Sequence, residues 1–288
     1  MKLTMGYYPG CSLQTGSEYD GSLRDVFTAL DIDLAEVPDW NCCGASSGHS
    51  TNEYLADALV LRNLINGEKA SLSQIIAPCA ACYNLLKGVD TKVRKGHEKT
   101  AKVNGDLKQV TGDSYQGTID ILHPLQPMSQ PAFLEQISKK VVNPLTKLKV
   151  VTYYGCLLTR PSYVSFDHNE YPVAMDKVLE SAQVTVAKWS YKTDCCGASL
   201  SLSRPEVVEK FSNHFVAMAR RAGADAIVTA CPLCQTNLDT RQSASDHPMP
   251  IFYFTELIGL SLGLPNVKKW MAKHIVDPVP LLKSLQLL

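Results

Sequence analysis

The sequence predicts an α/β protein built from two similar modules. Three observations predict it. Apolar, strand-like runs alternate with stretches of helical periodicity. Ten cysteines fall into two sets of five in the same order. The residues around those cysteines repeat as well. Strand–helix alternation implies parallel α/β units, and internal self-similarity marks a duplicated unit.

The elements follow in chain order. "KLTMGYY", residues 2–8, reads as a buried strand that ends just before Cys11. "WNCCGASSG", residues 40–48, places Cys42 and Cys43 side by side and follows them with Gly44. Adjacent Cα atoms lie about 3.8 Å apart, short of the roughly 4.4–6.8 Å of a relaxed disulfide, so these two thiols are poorly placed to bond to each other. "NEYLADALVLRNLIN" has helical spacing, with Asn52 as its cap. "SQIIAP" is a strand running straight into Cys79-Ala80-Ala81-Cys82. Residues 87–118 are polar and lysine-rich and read as a helix plus a solvated loop, with Lys95, Lys99 and Lys102 on a solvated face. "HPLQPMSQP", residues 123–131, is proline-rich and approaches the connection between modules.

The second module starts with the strand "LKVVTYY", which ends before Cys156. "DCCGASLSL" then repeats the vicinal pair as Cys195-Cys196-Gly197. "RPEVVEKFSNHFVAMARRAG" is a helix with Pro205 in its first turn and Gly223 as its stop. "ADAIVTA" is a strand entering Cys231-Pro232-Leu233-Cys234. "FTELIGLSLGLP" is apolar but interrupted by Glu256, Ser261 and two glycines. The tail "DPVPLLKSLQLL" either docks or frays. The division is placed near residue 145, giving domains 1–145 and 146–288.

The repeat spacing is close. Thirty residues separate Cys11 from Cys42, against thirty-eight between Cys156 and Cys195. Thirty-four separate Gly44 from Cys79, against thirty-three between Gly197 and Cys231. All ten cysteines are used, five per module. In parallel sheets, sites gather at the carboxyl ends of strands, and at least the first and third cysteine groups of each module fall there.

Composition narrows the function. With 28 basic and 28 acidic residues, the chain offers no electrostatic case for nucleic acid or anionic lipid. The N-terminus lacks the apolar core of a secretion signal, and no apolar run reaches transmembrane length. The expectation is a cytoplasmic protein, where ten cysteines point to metal or redox chemistry rather than a disulfide framework. Structural zinc takes four ligands and leaves one thiol per module unused. A dithiol redox pair at C-x-x-C ignores three. A cubane iron–sulfur cluster uses four thiolates, and five become natural if one thiolate bridges two irons or the cluster is not a simple cube. Gly44 and Gly197 admit positive φ and close backbone approach, and a helix start after each C-x-x-C favours an anionic group. No glycine-rich dinucleotide fingerprint is present.

The arrangement Cys…Cys-Cys-Gly…Cys-x-x-Cys resembles the cysteine-rich CCG domain. Two in tandem look like the B-type subunit of heterodisulfide reductase, from "YYPGC" to "CPLCQTNLD" and on into "FYFTELIGLSLGL". The resemblance implies two pseudo-symmetric CCG domains, each with a small, mainly parallel sheet flanked by helices. It implies one noncubane [4Fe-4S] cluster on Cys11, Cys42, Cys43, Cys79 and Cys82, and another on Cys156, Cys195, Cys196, Cys231 and Cys234. It implies a catalytic subunit that reduces or forms a disulfide held between two clusters, one electron coming from each. The implied partners are the C-type iron–sulfur subunit and the A-type flavin subunit of such a complex, with a disulfide or thiol as substrate. The methanogen-type protein carries proline after the first cysteine pair. Gly44 in that place leans toward a bacterial or sulfur-oxidising branch. The other reading is an electron-transfer or assembly subunit without disulfide chemistry of its own.

Residues other than cysteine are candidates too. His123 follows a strand and is a candidate proton donor, against a structural role. Tyr8 and Tyr154 precede the first cysteine of each module and offer hydroxyls to a sulfur or a substrate, against simple packing. Arg160 is a candidate for a substrate carboxylate or phosphate, against a surface role. Asn237 and Arg241 either cap a helix or line a cavity, and His49 is a candidate beside the first cysteine pair, against a polar loop.

Overall fold

The computed structural model describes residues 3–14, 17–45, 48–242 and 248–288. The side chain of His49 lies outside the described residues. Two compact units divide the chain. One comprises Met1–Thr15 and Asp31–Pro124, the other Gly16–Leu30 and Leu125–Leu288.

Each unit is organised on a four-stranded sheet with every neighbouring pair parallel. The first contains β1 (Leu3–Tyr7), β2 (Ile32–Glu36), β3 (Gln74–Ile76) and β4 (Asp120–Leu122) in the order β2-β1-β3-β4. The second contains β5 (Lys149–Tyr153), β6 (Thr185–Val186), β7 (Ala226–Thr229) and β8 (Ile251–Tyr253) in the order β6-β5-β7-β8. The two orders are the same, so the fold is α/β with the repeated architecture that the cysteine spacing predicts.

Burial explains the strands that are plain in the sequence. Every residue of β7, "AIVT", is buried, as are four of the five in β5. Such runs suit central parallel strands covered on both faces. Each buried valine or isoleucine contributes about 1.5–3 kcal/mol.

The helices follow local rules. Helix Glu53–Lys69 starts at Asn52, whose side chain accepts from the Leu55 amide at 3.0 Å. Helix Pro205–Arg221 has proline in its first turn. It stops before Gly223, which takes φ +73°. The lysine-rich stretch holds two helices, Ala80–Arg94 running into it and Glu98–Thr111. The second buries only Thr100 and Val103, consistent with a solvated face for Lys99 and Lys102. The tail docks: Leu282 is fully buried in helix Val279–Ser284, and Asn143 Nδ2 donates to the Leu287 carbonyl at 3.1 Å.

Two candidate cysteine sites

Parallel strands end on the same edge of a sheet, and that edge gathers the cysteines. In the first unit β1 leads to Cys11, β2 to Cys42 and Cys43, and β3 to Cys79. In the second, β5 leads to Cys156, β6 to Cys195 and Cys196, and β7 to Cys231. The third group in each set opens a helix. Cys79 is the N-cap of Ala80–Arg94 and Cys231 the N-cap of Pro232–Thr240. Cys82 and Cys234 therefore sit in first turns, where unpaired backbone amides and the helix dipole favour negative charge.

Within each set, thiols meet thiols. In the first, the Cys11 and Cys42 sulfurs are 3.7 Å apart and those of Cys43 and Cys82 3.2 Å. Cys82 also bonds to Cys79, and Cys43 to Cys42, so the five form one continuous group. In the second, Cys156 bonds to Cys195, and Cys234 to both Cys196 and Cys231. All ten cysteines are free thiols. The sulfurs pair rather than converge: among the described residues no three His, Cys, Asp or Glu side chains close around a single ion. Cys11 and Cys195 are exposed and Cys42 and Cys156 half-buried, while the other three thiols of each set are buried. Each set thus has an outer pair and an inner trio.

These contacts order the protons. Sharing a proton with Cys82 lowers Cys43 to about 7 despite burial, and the same bond pushes Cys82 up. Sharing with Cys156 lowers Cys195 to about 6, while Cys156 is raised. Burial, against the Gly44 amide, raises Cys42. Backbone amides reach the sulfur directly: Gly44 N lies 3.5 Å from Cys42 Sγ and Gly197 N lies 3.3 Å from Cys195 Sγ. Asn237 Nδ2 lies 3.6 Å from Cys196 Sγ and 3.3 Å from the Cys196 carbonyl oxygen. Asn237 is held in turn by the Ser201 hydroxyl at 2.8 Å.

Glycine is required at two equivalent places. Gly44 and Gly197 adopt φ +80° and +78° as expected. The space a Cβ would need there belongs to Leu59 in one unit and to Val208 and Phe211 in the other. The close approach to sulfur is made instead by Gly10 and Gly155, both at φ +69°. A Cβ would come within 2.9 Å of Cys82 Sγ at Gly10 and 3.0 Å of Cys234 Sγ at Gly155. The repeated glycine in "PGC" and "YGC" was the signal that marks them.

The other candidates are placed as follows. Tyr8 donates its hydroxyl to the Asn41 carbonyl at 2.6 Å, bracing the residue before Cys42. Its phenol is held up by burial and by the Cys82, Cys43, Cys42 and Cys11 thiols around it. The equivalent donor in the second unit is Tyr153, whose hydroxyl reaches the Asp194 carbonyl at 2.6 Å, rather than Tyr154. The Tyr154 hydroxyl accepts from the Met175 amide at 2.6 Å and has Asp176 nearby. The offset arises because "YYPGC" has one residue more than "YYGC" between the tyrosines and the cysteine. His123 is fully buried, and its Nε2 donates to the Pro78 carbonyl at 3.1 Å, next to Cys79. Tyr19, which the sequence did not mark, does the corresponding work in the second unit: its hydroxyl donates to the Ala230 carbonyl at 3.3 Å, next to Cys231. Arg160 is exposed and pairs with Glu170 at 2.7 Å. Arg241 donates to the Ser201 carbonyl at 2.9 Å.

Ten soft donors in two groups, with amides aimed at sulfur and glycines that leave room beside it, fit polynuclear iron–sulfur groups. Thr229 Oγ1, two residues before Cys231, is buried with no hydrogen-bond partner among the described residues.

Several known proteins are similar to this chain. The CCG cysteine-rich domain matches residues 5–87 and 150–239. The B-type subunit of a ferredoxin/F(420)H(2)-dependent CoB-CoM heterodisulfide reductase from Methanosarcina acetivorans is 30% identical over 89% of this chain and 88% of its own. The 8-methylmenaquinol:fumarate reductase membrane anchor subunit of Wolinella succinogenes is 27% identical over 98% of this chain and 100% of its own. A crystal structure of a hypothetical protein from Helicobacter pylori superposes with a TM-score of 0.75 at 11% identity. The match covers 96% of this chain and 53% of that one, and it shows the fold.

Proposed function

Because this chain belongs to the family of heterodisulfide reductase B-type subunits and carries two CCG cysteine-rich domains, we propose that it is the catalytic iron–sulfur subunit of a heterodisulfide-reductase-like complex. Cys11, Cys42, Cys43, Cys79 and Cys82 hold one cluster, and Cys156, Cys195, Cys196, Cys231 and Cys234 hold a second, each of the noncubane [4Fe-4S] type. The observation that carries this reading is the doubled quintet, each set gathered on the carboxyl edge of its own parallel sheet.

Bound clusters supply one-electron chemistry, and a disulfide that accepts two electrons and two protons leaves as two thiols. The chain's residues prepare for this. The Gly44 and Gly197 amides and Asn237 offset negative charge on sulfur. Tyr8, Tyr153, His123 and Tyr19 fix the carbonyls that flank the ligands, so the thiols keep their places as charge changes. The exposed Cys11 and Cys195 mark the edge of each set open to a substrate sulfur. Arg160, exposed beside Cys156 in sequence, is available to an anionic substrate once released from Glu170. Electrons arrive from a C-type iron–sulfur partner, itself served by an A-type flavin partner.

One observation favours a second reading. The Wolinella relative, named as an anchor subunit of a fumarate reductase, matches from end to end. An electron-transfer subunit without disulfide chemistry would need the same ligands. Among the described residues no helix is long and apolar enough to cross a membrane.

The two readings part in one experiment. Protein purified without oxygen and reduced is titrated with CoB-CoM heterodisulfide and with other small disulfides while its EPR spectrum is followed. The catalytic reading expects a cluster signal that changes with a disulfide and not with the corresponding thiols. A reducible cluster whose spectrum ignores every disulfide would overturn it in favour of electron transfer.

A further inference from the structure

We propose that a buried group of Glu18, Glu256, His274 and Asp239 takes up a proton when the iron–sulfur centre on the second cysteine set is reduced. This rests on the reading above that the second set holds such a centre.

The four side chains lie together in the second unit. His274 and Glu256 are wholly buried, with Nε2 and Oε1 2.9 Å apart. The other Glu256 oxygen accepts from the Tyr253 amide at 2.8 Å. Asp239 accepts from the amides of Ile275 at 2.8 Å and Val276 at 3.1 Å, and from Gln235 Nε2 at 3.2 Å. Glu18 is buried and faces Glu256, His274 and Lys273. Three carboxyl groups thus act on one imidazole, Glu256 by a direct bond, and Lys273 is a charged neighbour of Glu18. Charges gathered in an apolar setting do not titrate independently, so protonation of Glu18, Asp239 and His274 is linked. Burial raises both Glu18 and Asp239. Burial opposes charge on His274, yet Glu256, Asp239 and Glu18 outweigh it and lift His274 to about 9. His274 Nδ1 is buried without a hydrogen-bond partner among the described residues.

Tyr19 and Tyr253 stand between this group and the backbone beside Cys231. The buried Tyr253 phenol senses the Glu18 and Glu256 carboxylates and also the Cys231 thiol. Tyr19, next to Glu18, stacks on Tyr253 at 4.2 Å and 8° and donates to the Ala230 carbonyl beside Cys231. Asp239 rides on the same helix as Cys234. An electron added at the cysteine set makes that end of the network more negative, which raises proton affinity at the other end. By linkage, a proton there makes the electron easier to add. The step balances: oxidised centre, one electron from a one-electron donor and one proton from solvent give a reduced centre with the proton on the acidic group. Disulfide reduction consumes protons and electrons equally, and this group stores one beside the other.

The test is a potentiometric EPR titration of the anaerobic full-length protein over about pH 6–10, a range that spans raised carboxyl and histidine values. Sodium dithionite serves as reductant. The wild-type midpoint of one centre should fall as pH rises, approaching about 59 mV per unit, the equivalent of a tenfold change in equilibrium constant for a one-electron couple. E256Q and H274Q should flatten that slope with iron content unchanged. E18Q removes one carboxyl without touching the His274–Glu256 pair, and it should shift the pH range of the slope should the other variants fail to fold. A flat wild-type slope, or a slope untouched by every folded variant, overturns the proposal. A sample with no reducible centre sinks the functional reading as well, whereas a reducible centre with a flat profile sinks only this one.

Discussion

At the scale of single residues, the site depends on what is left out as much as on what is present. Gly10 and Gly155 hold φ +69°, and the missing Cβ is what keeps the backbone clear of Cys82 and Cys234 sulfur. Gly10→Ala should cost about 1–3 kcal/mol from overpacking, beyond its backbone strain, and should lower iron retention. Gly105→Ala is the control. Gly105 lies inside helix Glu98–Thr111 with nothing within 4 Å of where a Cβ would stand, and alanine there should add about 0.5–1 kcal/mol. Denaturant unfolding and iron content of both variants check this. A G10A protein as stable and as iron-rich as wild type would contradict it. The grouping of the cysteines was legible in the sequence because ten thiols fall into two matched sets in the same order. Gly10 and Tyr153 were not singled out, because their roles depend on distances across the strand end that spacing does not show.

At the scale of elements, the buried parallel strands were plain and the edge strands were not. β2, "IDLAE", carries two acidic residues and is only partly buried, and β6 has two residues. β8, "IFY", merges with the apolar helix that follows it, so periodicity gives no boundary. The turn after helix Val267–Met271 delivers His274 to Glu256 and has a measurable consequence. The folded value of His274, about 9, lies above the usual 6.5. The pair's stabilisation is therefore fully present below about 6.5 and is lost as pH rises through about 9, an effect on the order of 3 kcal/mol at most. Thermal unfolding of the wild type should show a drop across that window that H274Q lacks. Parallel pH profiles for the two proteins would rule it out.

At the scale of the whole molecule, duplication is the organising fact. The same sheet order occurs twice, and each sheet sends three strand ends toward one set of five thiols. That much could be read from cysteine spacing, since a cysteine at a strand end ties sequence position to sheet position. The compact units could not be read from it. Helix Glu18–Ala29 falls between β1 and β2 in the chain yet belongs to the second unit. There Ser22 meets Thr255 at 2.7 Å and Asp25 accepts from Asn266 at 2.8 Å. Such pairings span more than two hundred residues, and no local pattern announces them. The most direct test of the central claim is the iron and acid-labile sulfide content of protein purified without oxygen. One iron–sulfur centre per quintet predicts about four irons for each set and matching sulfide. Protein that contains zinc without sulfide, or no metal at all, would contradict the account.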